Sequence, residues 1–200
     1  KRIRELIYEN FPDMLVSLSS DVDPVFREYE RTVVTAFDAY IKPTVDAYLS
    51  NLSQALRRKN VGASLQIMQS RGGLAGAETA RIRPVRLFLS GPAGGVMGAL
   101  SEGKANNYND LITVDIGGTS CDIALVNGAK PLIRQEGFID KYMVRVPMVD
   151  VSAIGSGGGS IAWLDKAGGL KVGPHSAGSE PGPACYDRGG SEATVTDASL

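Results

Sequence analysis

Cysteine, histidine and long apolar runs are all scarce in this chain of 200 residues. Its two cysteines, Cys121 and Cys185, have no C-x-x-C neighbour, and its single histidine, His175, lies ten positions from the nearer of them. No metal-type cysteine cluster is therefore indicated, and a reduced cytoplasmic setting is the simpler reading, although two thiols can still pair. No apolar stretch approaches the roughly 20 residues that a helical membrane span needs. The charged opening residues lack the apolar core and small-residue cleavage site of a secretory signal. An excess of one charge is also missing: 21 basic against 22 acidic residues give a net charge of −1. That balance leaves no electrostatic footprint for nucleic acid or an anionic membrane.

What is present is enough apolar material for a core, at 43% of residues, and 24 glycines concentrated after Gly72. The pattern predicts a helix over 2–9 and a short strand over 14–18. Ser19, Ser20, Asp21 and Asp23 offer N-cap oxygens to a long helix whose first turn suits Pro24. Pro43 should end or kink that helix, and Val45, Tyr48, Leu49, Leu52 and Leu56 continue its stripe towards residue 60. A strand over 64–69, a Gly72-Gly73 turn, a helix over 74–81 and a strand over 85–89 follow. A glycine-rich start at 90–95 then opens a small-residue helix over 96–103. A buried strand over 111–116, a second over 121–126 and a third reaching 134 after the Asn127-Gly128 turn predict a β-meander. Beyond it come strands near 149, over 161–164 and over 170–173, a loop over 174–190, and a helix cap at Thr196-Asp197. No internal repeat is visible.

The segment T-V-D-I-G-G-T-S-C-D over 113–122 carries the clearest chemistry. Gly117 and Gly118 let backbone N–H groups approach phosphate oxygens, and the Thr119 and Ser120 hydroxyls can donate to them. Asp115 and Asp122 can hold Mg²⁺ through water or orient an attacking water. An ordinary hairpin whose aspartates cap the turn is the alternative, and two acids flanking Gly-Gly-Thr-Ser exceed what a tight turn requires. The run 155–160, with Gly157, Gly158 and Gly159, reads either as a linker or as a structured turn near a nucleotide, and its place between strands favours the turn. The proline-stiffened loop 176–186 suits a substrate or interface loop as well as a surface excursion. Cys185 reads as an inert thiol, His175 as a loop residue, residues 27–31 as a solvated helix face, and Asp197 as a helix cap.

D-x-G-G-T-x-x-D over 115–122 resembles the second phosphate motif of the actin, sugar-kinase and heat-shock-chaperone superfamily, and the small-residue helix before it sits where those chaperones have a connecting helix. Within that superfamily the chain resembles the hydantoinase A/5-oxoprolinase family. The resemblance is carried in order by R-E-Y-E-R-T over 27–32, M-Q-S-R-G-G over 68–73, S-G-P-A-G-G-V over 90–96, D-I-G-G-T-S over 115–120, G-S-G-G-G-S-I-A over 155–162 and V-G-P-H-S-A-G-S-E-P-G-P-A-C-Y over 172–186. Cys121 departs from the threonine of many members.

The resemblance implies an α/β, ribonuclease-H-like actin-type ATPase domain, a mixed sheet with a β-meander flanked by helices, over 85–200. Residues 1–84 would be a helical, connecting segment belonging to or leading from a first domain. Because such proteins carry the first phosphate motif in a separate N-terminal region, and no second D-x-G-G-T occurs here, the chain is expected to hold half of a nucleotide site. The implied function is an ATP-dependent hydrolase of cyclic amides, with Asp115 and Asp122 catalytic and Asp115 meeting Mg²⁺. Gly117, Gly118, Thr119 and Ser120 would lie on the phosphates of ATP, and Gly157, Gly158 and Gly159 beside the adenosine. A hydantoinase B-like subunit or domain would complete the unit. An acetone-carboxylase-type subunit, a non-catalytic nucleotide-binding module and a structural fragment are the rival readings.

Overall fold

The structure is a computed structural model describing residues 2–139 and 141–200. Helices α1 (Arg2–Asn10), α2 (Ser19–Val22) and α3 (Glu28–Arg58) lead into strands β1 (Gln66–Met68) and β2 (Leu74–Gly76). Helix α4 (Ala77–Ile82), a 3₁₀ turn (Pro84–Leu87) and helix α5 (Ser90–Ala105) follow. The remaining strands are β3 (Leu111–Ile116), β4 (Cys121–Asn127), β5 (Lys130–Pro131), β6 (Ile133–Arg134), β7 (Gly137–Ile139), β8 (Tyr142–Val144), β9 (Met148–Val149), β10 (Val151–Ile154), β11 (Ser160–Leu164) and β12 (Leu170–Ser176). Helix α6 (Val195–Ala198) lies near the end. Among the described residues no helix is long and apolar enough to cross a membrane.

The chain divides into two compact units, one up to Gly94 together with 133–149, the other 95–132 together with 150–200. Neither coincides with 1–84 or 85–200, because residues 133–149 return to the first unit. There β7–β8 and β6–β9 form antiparallel pairs, and Val144, Val146 and Met148 join Val22, Val34 and Val85 in one buried apolar cluster. Each such side chain contributes about 1.5–3 kcal/mol by leaving water.

Helix α3 continues past Pro43 to Arg58, so the helix does not end there. Proline removes the N–H that residue 39 would receive, and the helix is held on the preceding turn by a buried polar knot. Asp38, with no exposure to solvent, accepts from Ser17 Oγ at 2.6 Å and Val85 N at 3.2 Å, and pairs with Lys42 Nζ at 3.3 Å. Lys42 in turn donates to the Ile82 carbonyl at 2.6 Å. The same knot explains two further departures. Residues 14–18 form no strand, since Ser17 is engaged by a helix rather than by a neighbouring strand. Residues 85–89 are not a strand either, because Pro84 starts a 3₁₀ turn whose Val85 N–H serves Asp38 and whose Arg86 carbonyl receives both Ser70 N and Ser70 Oγ at 2.7 Å. The predicted helix over 74–81 loses its first turn to β2, which folds back on β1 across the Gly72-Gly73 turn with Ile67 opposite Ala75.

In the second unit β4 is central. It pairs antiparallel with β3 along one edge, and with β10 and the short β5 along the other. The meander stops at β5, where Gly128 and Ala129 both take positive φ (55° and 58°) in a tight hairpin turn and Pro131 has no N–H to extend the ladder. Strand β3 is not the buried strand its composition suggests. Alternation puts Ile112 (71% exposed), Val114 (57%) and Ile116 (65%) on one uncovered face. The opposite face meets α5, which buries Val96 and Leu100 and passes so close that a methyl group at Gly103 would stand 2.5 Å from Leu111 Cδ1.

Candidate nucleotide-phosphate site

The β3–β4 register places Asp115 directly opposite Asp122, one pair before Ile116–Cys121 closes the ladder. Residues opposite each other on antiparallel strands share a face, and like charges so placed oppose pairing. Neither carboxylate has a hydrogen bond or ion pair among the described residues. The sheet therefore brings two uncompensated acids together beside the turn that follows β3. Helix α5 makes room for one of them: a methyl group at Gly95 would lie 3.3 Å from Asp115 Oδ2.

The turn itself is closed by Gly117 N–H donating to the Ser120 carbonyl at 3.0 Å. The N–H groups of Gly118, Thr119 and Ser120 find no protein acceptor among the described residues, and the Thr119 and Ser120 hydroxyls are likewise unengaged. Nothing among the described residues requires glycine at 118. Its φ lies outside the left-handed region, and an added methyl group would meet no atom within 4 Å. At 117 the nearest atom, Ser120 O, would lie at an ordinary 3.8 Å. Two glycines that neither conformation nor packing demands, in an exposed turn with free donors, leave the backbone open to close approach by an anion.

Behind the turn the run 155–160 is a structured buttress, which excludes the linker reading. Gly158 N donates to Gly117 O at 2.9 Å and Gly159 N to Gly118 O at 2.7 Å. Gly157 is buried against the same backbone: a methyl group there would stand 2.7 Å from both Gly117 O and Thr119 N. Ser160, fully buried, accepts from Gly157 N through Oγ at 2.8 Å. Here glycine is a packing requirement. Gly157→Ala is accordingly expected to destabilise the fold by about 1–3 kcal/mol through overpacking. Thermal unfolding checks this, and an unchanged midpoint would remove the buttress from the account.

A third layer supports the buttress, through contacts that the sequence pattern did not reveal. Thr196 donates both its N–H and its Oγ1 hydroxyl to Gly158 O at 2.8 Å. The helix cap is Thr194 rather than Thr196, with Asp197 completing a capping box by accepting from Thr194 N at 2.8 Å and Oγ1 at 2.7 Å. Asp197 also accepts from Cys185 N at 2.8 Å and Ala184 N at 3.3 Å, pinning the loop 176–186 to α6. The Cys185 backbone and thiol, followed by Thr194, hold the Asp197 carboxyl well below the usual carboxylate range. A depressed carboxyl contributes its stability above the unfolded value and loses it as pH falls through the folded value, so this tie is complete at neutral pH. The Asp197 carboxylate raises the Cys185 thiol in turn, with a smaller contribution from burial, which opposes a thiolate nucleophile there. Among the described residues no hydrogen bond engages the His175 ring, and Cys121 and Cys185 are both free thiols.

The sequence that builds this hairpin matches a known family model, Hydantoinase/oxoprolinase, over residues 31–200. The chain belongs to the hydantoinase/oxoprolinase family. Among curated relatives of this hydantoinase/oxoprolinase chain, caprolactamase subunit alpha of Pseudomonas jessenii is 39% identical over 200 residues, covering 100% of the chain and 29% of the relative. The 5-oxoprolinase of Saccharomyces cerevisiae is 37% identical over 187 residues, covering 92% of the chain and 14% of that protein. The fold matches the crystal structure of ATP-dependent caprolactamase from Pseudomonas jessenii with a TM-score of 0.80 at 39% identity, over 100% of this chain and 29% of that one. It also matches nucleotide-free acetone carboxylase, at 0.74 and 29% identity, over 98% of this chain and 27% of that one. The chain thus spans less than a third of the first relatives it matches, 31%, 29% and 28% of their lengths.

Proposed function

We propose that this chain supplies one phosphate-binding half of an ATP-dependent cyclic-amide hydrolase. The observation that carries the reading is the 117–120 turn, whose glycines the fold does not require and whose free N–H groups adjoin two unpartnered carboxylates. The donors of Gly118, Thr119 and Ser120 receive phosphate oxygens, and Gly157, Gly158 and Gly159 keep the turn rigid while they do so. Asp115, with Asp122 opposite it, suits Mg²⁺, which takes one or two carboxylates and completes its shell with waters and substrate phosphates. The described residues fit that role better than a dedicated all-protein metal cage, since no group of three or more His, Cys, Asp and Glu side chains gathers among them. When bound, the ion would neutralise phosphate charge during transfer.

In this reading the second unit is half of an actin-type, ribonuclease-H-like ATPase core. Residues 1–84 lead from a first domain that supplies the other phosphate motif, and the protein is cytoplasmic. The lactam oxygen attacks the γ-phosphorus, and ADP leaves with the bridging oxygen. The ring carbon then becomes electrophilic enough for water to add and for the C–N bond to break. A second water releases phosphate, so each turnover uses one ATP and two waters. A hydantoinase B-like subunit or domain completes the ring-opening site.

The test is an assay of the full-length protein with that partner, Mg²⁺-ATP and a panel of hydantoin, 5-oxoproline and caprolactam, reading ADP and ring-opened product together. One cyclic amide giving equal ADP and product supports the proposal. A carboxylase reading is favoured by the likeness to acetone carboxylase. It wins if ADP appears only with a ketone and bicarbonate, and nucleotide binding without turnover under either condition marks a non-catalytic module.

A further inference from the structure

Two free donors of the 117–120 turn are the ends of hydrogen-bonded chains of peptide groups that begin beside the loop 176–186. A trans peptide group is a rigid plate whose carbonyl and following N–H point in opposite directions, so a bond received at one edge is passed on at the other. In the first chain Ala177 N donates to Gly159 O at 2.8 Å. Ser160 N, on that same plate, donates to Gly157 O at 3.0 Å, and the next plate, through Gly158 N, to Gly117 O at 2.9 Å. The plate that carries Gly117 O ends in the Gly118 N–H. In the second chain Thr196 gives both its N–H and its Oγ1 hydroxyl to Gly158 O at 2.8 Å, and Gly159 N, on that plate, donates to Gly118 O at 2.7 Å. The plate that carries Gly118 O ends in the Thr119 N–H. Neither terminal N–H has a protein acceptor among the described residues.

The two chains start at the two ends of one loop. Ala177 stands at its beginning, where its carbonyl also accepts from Gly182 N at 3.3 Å. Thr196 is tied to the far end, because the neighbouring Asp197 accepts from Cys185 N at 2.8 Å and Ala184 N at 3.3 Å. Hydrogen bonds in a chain polarise one another, by about 10–30% per bond. Two donors on Gly158 O therefore strengthen Gly159 N–H and, through it, Thr119 N–H as donors to an anion, and they fix where that last N–H points. The Thr196 N–H alone would satisfy Gly158 O, so its hydroxyl adds a second donor that backbone pairing does not require.

We propose that Thr196 is a positioning residue for the phosphate turn, and that docking of the loop 176–186 against α6 sets the grip of that turn on phosphate. This control rests on the ATP reading above and acts on the same site. Linkage makes the coupling reciprocal: if a docked loop favours phosphate, bound phosphate favours the docked loop by the same factor. Cys185 reports the docking. Its thiol, held by Asp197, is raised above the usual thiol value and so reacts more slowly than a released one.

The test compares the full-length protein with its Thr196→Val, Thr196→Ser and Asp197→Asn variants. Each is titrated calorimetrically with Mg²⁺-ATP well below its Tm, and alkylation of Cys185 by iodoacetamide is followed by peptide mass spectrometry with and without Mg²⁺-ATP. Thr196→Val keeps the shape and the backbone bond but loses the hydroxyl. Its Mg²⁺-ATP affinity should fall at least about threefold, and Thr196→Ser should recover most of the loss. Asp197→Asn should also weaken Mg²⁺-ATP and should be alkylated faster at Cys185. In the parent, saturating Mg²⁺-ATP should slow Cys185 alkylation at least about twofold, and Thr196→Val should lose most of that response. A merely structural threonine would lower Tm and leave both affinity and alkylation response at parental values, which would overturn the proposal. Parental alkylation indifferent to Mg²⁺-ATP would overturn it too, whether or not Asp197→Asn folds. Absent Mg²⁺-ATP binding by the parent would sink the ATP reading and this control together. Parental affinity in Thr196→Val, with affinity lost in Gly118→Ala, would overturn the control alone.

Discussion

Asparagine in place of Asp115 is expected to lower ATP turnover by the full-length protein roughly 10²–10³-fold, the usual loss when one preorganised electrostatic contact to the reacting group is removed. Its shape is kept, so packing against Gly95 survives while the charge that would meet Mg²⁺ is lost. Stability should hold or rise slightly, because a like-charge pair across β3 and β4 disappears, a change of about 0.2–1 kcal/mol. Opposite movements of turnover and stability separate a functional acid from a structural one. Steady-state ADP release and thermal unfolding of the same sample decide it, and turnover kept within about threefold would remove Asp115 from the site.

A second large effect concerns the fold. Asp38→Ala should destabilise the protein by about 3–5 kcal/mol, since Lys42 would be left as an unpaired buried cation. For a protein of this size that corresponds to a fall in Tm of about 6–20 °C. The double replacement Asp38→Leu with Lys42→Met should recover much of the loss, as buried ion pairs replaced together by apolar side chains often do. Chemical denaturation of the three variants provides the measurement. A loss below about 1 kcal/mol in Asp38→Ala would show that water reaches Lys42 and that the knot does not organise the first unit.

The comparison of these two regions shows what the sequence could reveal. The hairpin over 111–127 was legible because its determinants are local: alternation in L-I-T-V-D-I, a Gly-Gly turn, and acids at fixed distances from it. The register then follows, and with it the opposition of Asp115 and Asp122. The Asp38 knot was illegible because its partners, Ser17, Lys42 and Val85, are brought together by tertiary packing. Those contacts converted two predicted strands, over 14–18 and 85–89, into a loop and a 3₁₀ turn. Apolar content in 111–116 suggested burial, yet period-two alternation only assigns a face and does not say what covers it. In the same way, the glycines of 155–160 announced unusual backbone without distinguishing a linker, a nucleotide contact and a buttress. The hydrogen bonds of Gly158 and Gly159 to the 117–118 carbonyls replace the linker by a buttress, a role compatible with the proposed place of these glycines beside the adenosine. Thr196 was legible only as a helix cap, because a hydroxyl aimed at a distant carbonyl leaves no local signature.

Gly118→Ala tests the central claim most directly. The added methyl group meets no atom of the described residues within 4 Å and the backbone conformation there is ordinary. On protein grounds alone the substitution should be neutral or stabilising by about 0.4–1 kcal/mol. If the turn exists for the close approach of phosphate, the full-length Gly118→Ala protein should keep its Tm and lose Mg²⁺-ATP affinity at least about tenfold in calorimetric titration. Undiminished Mg²⁺-ATP affinity in a folded Gly118→Ala protein would contradict the account and return the 117–120 turn to an ordinary hairpin.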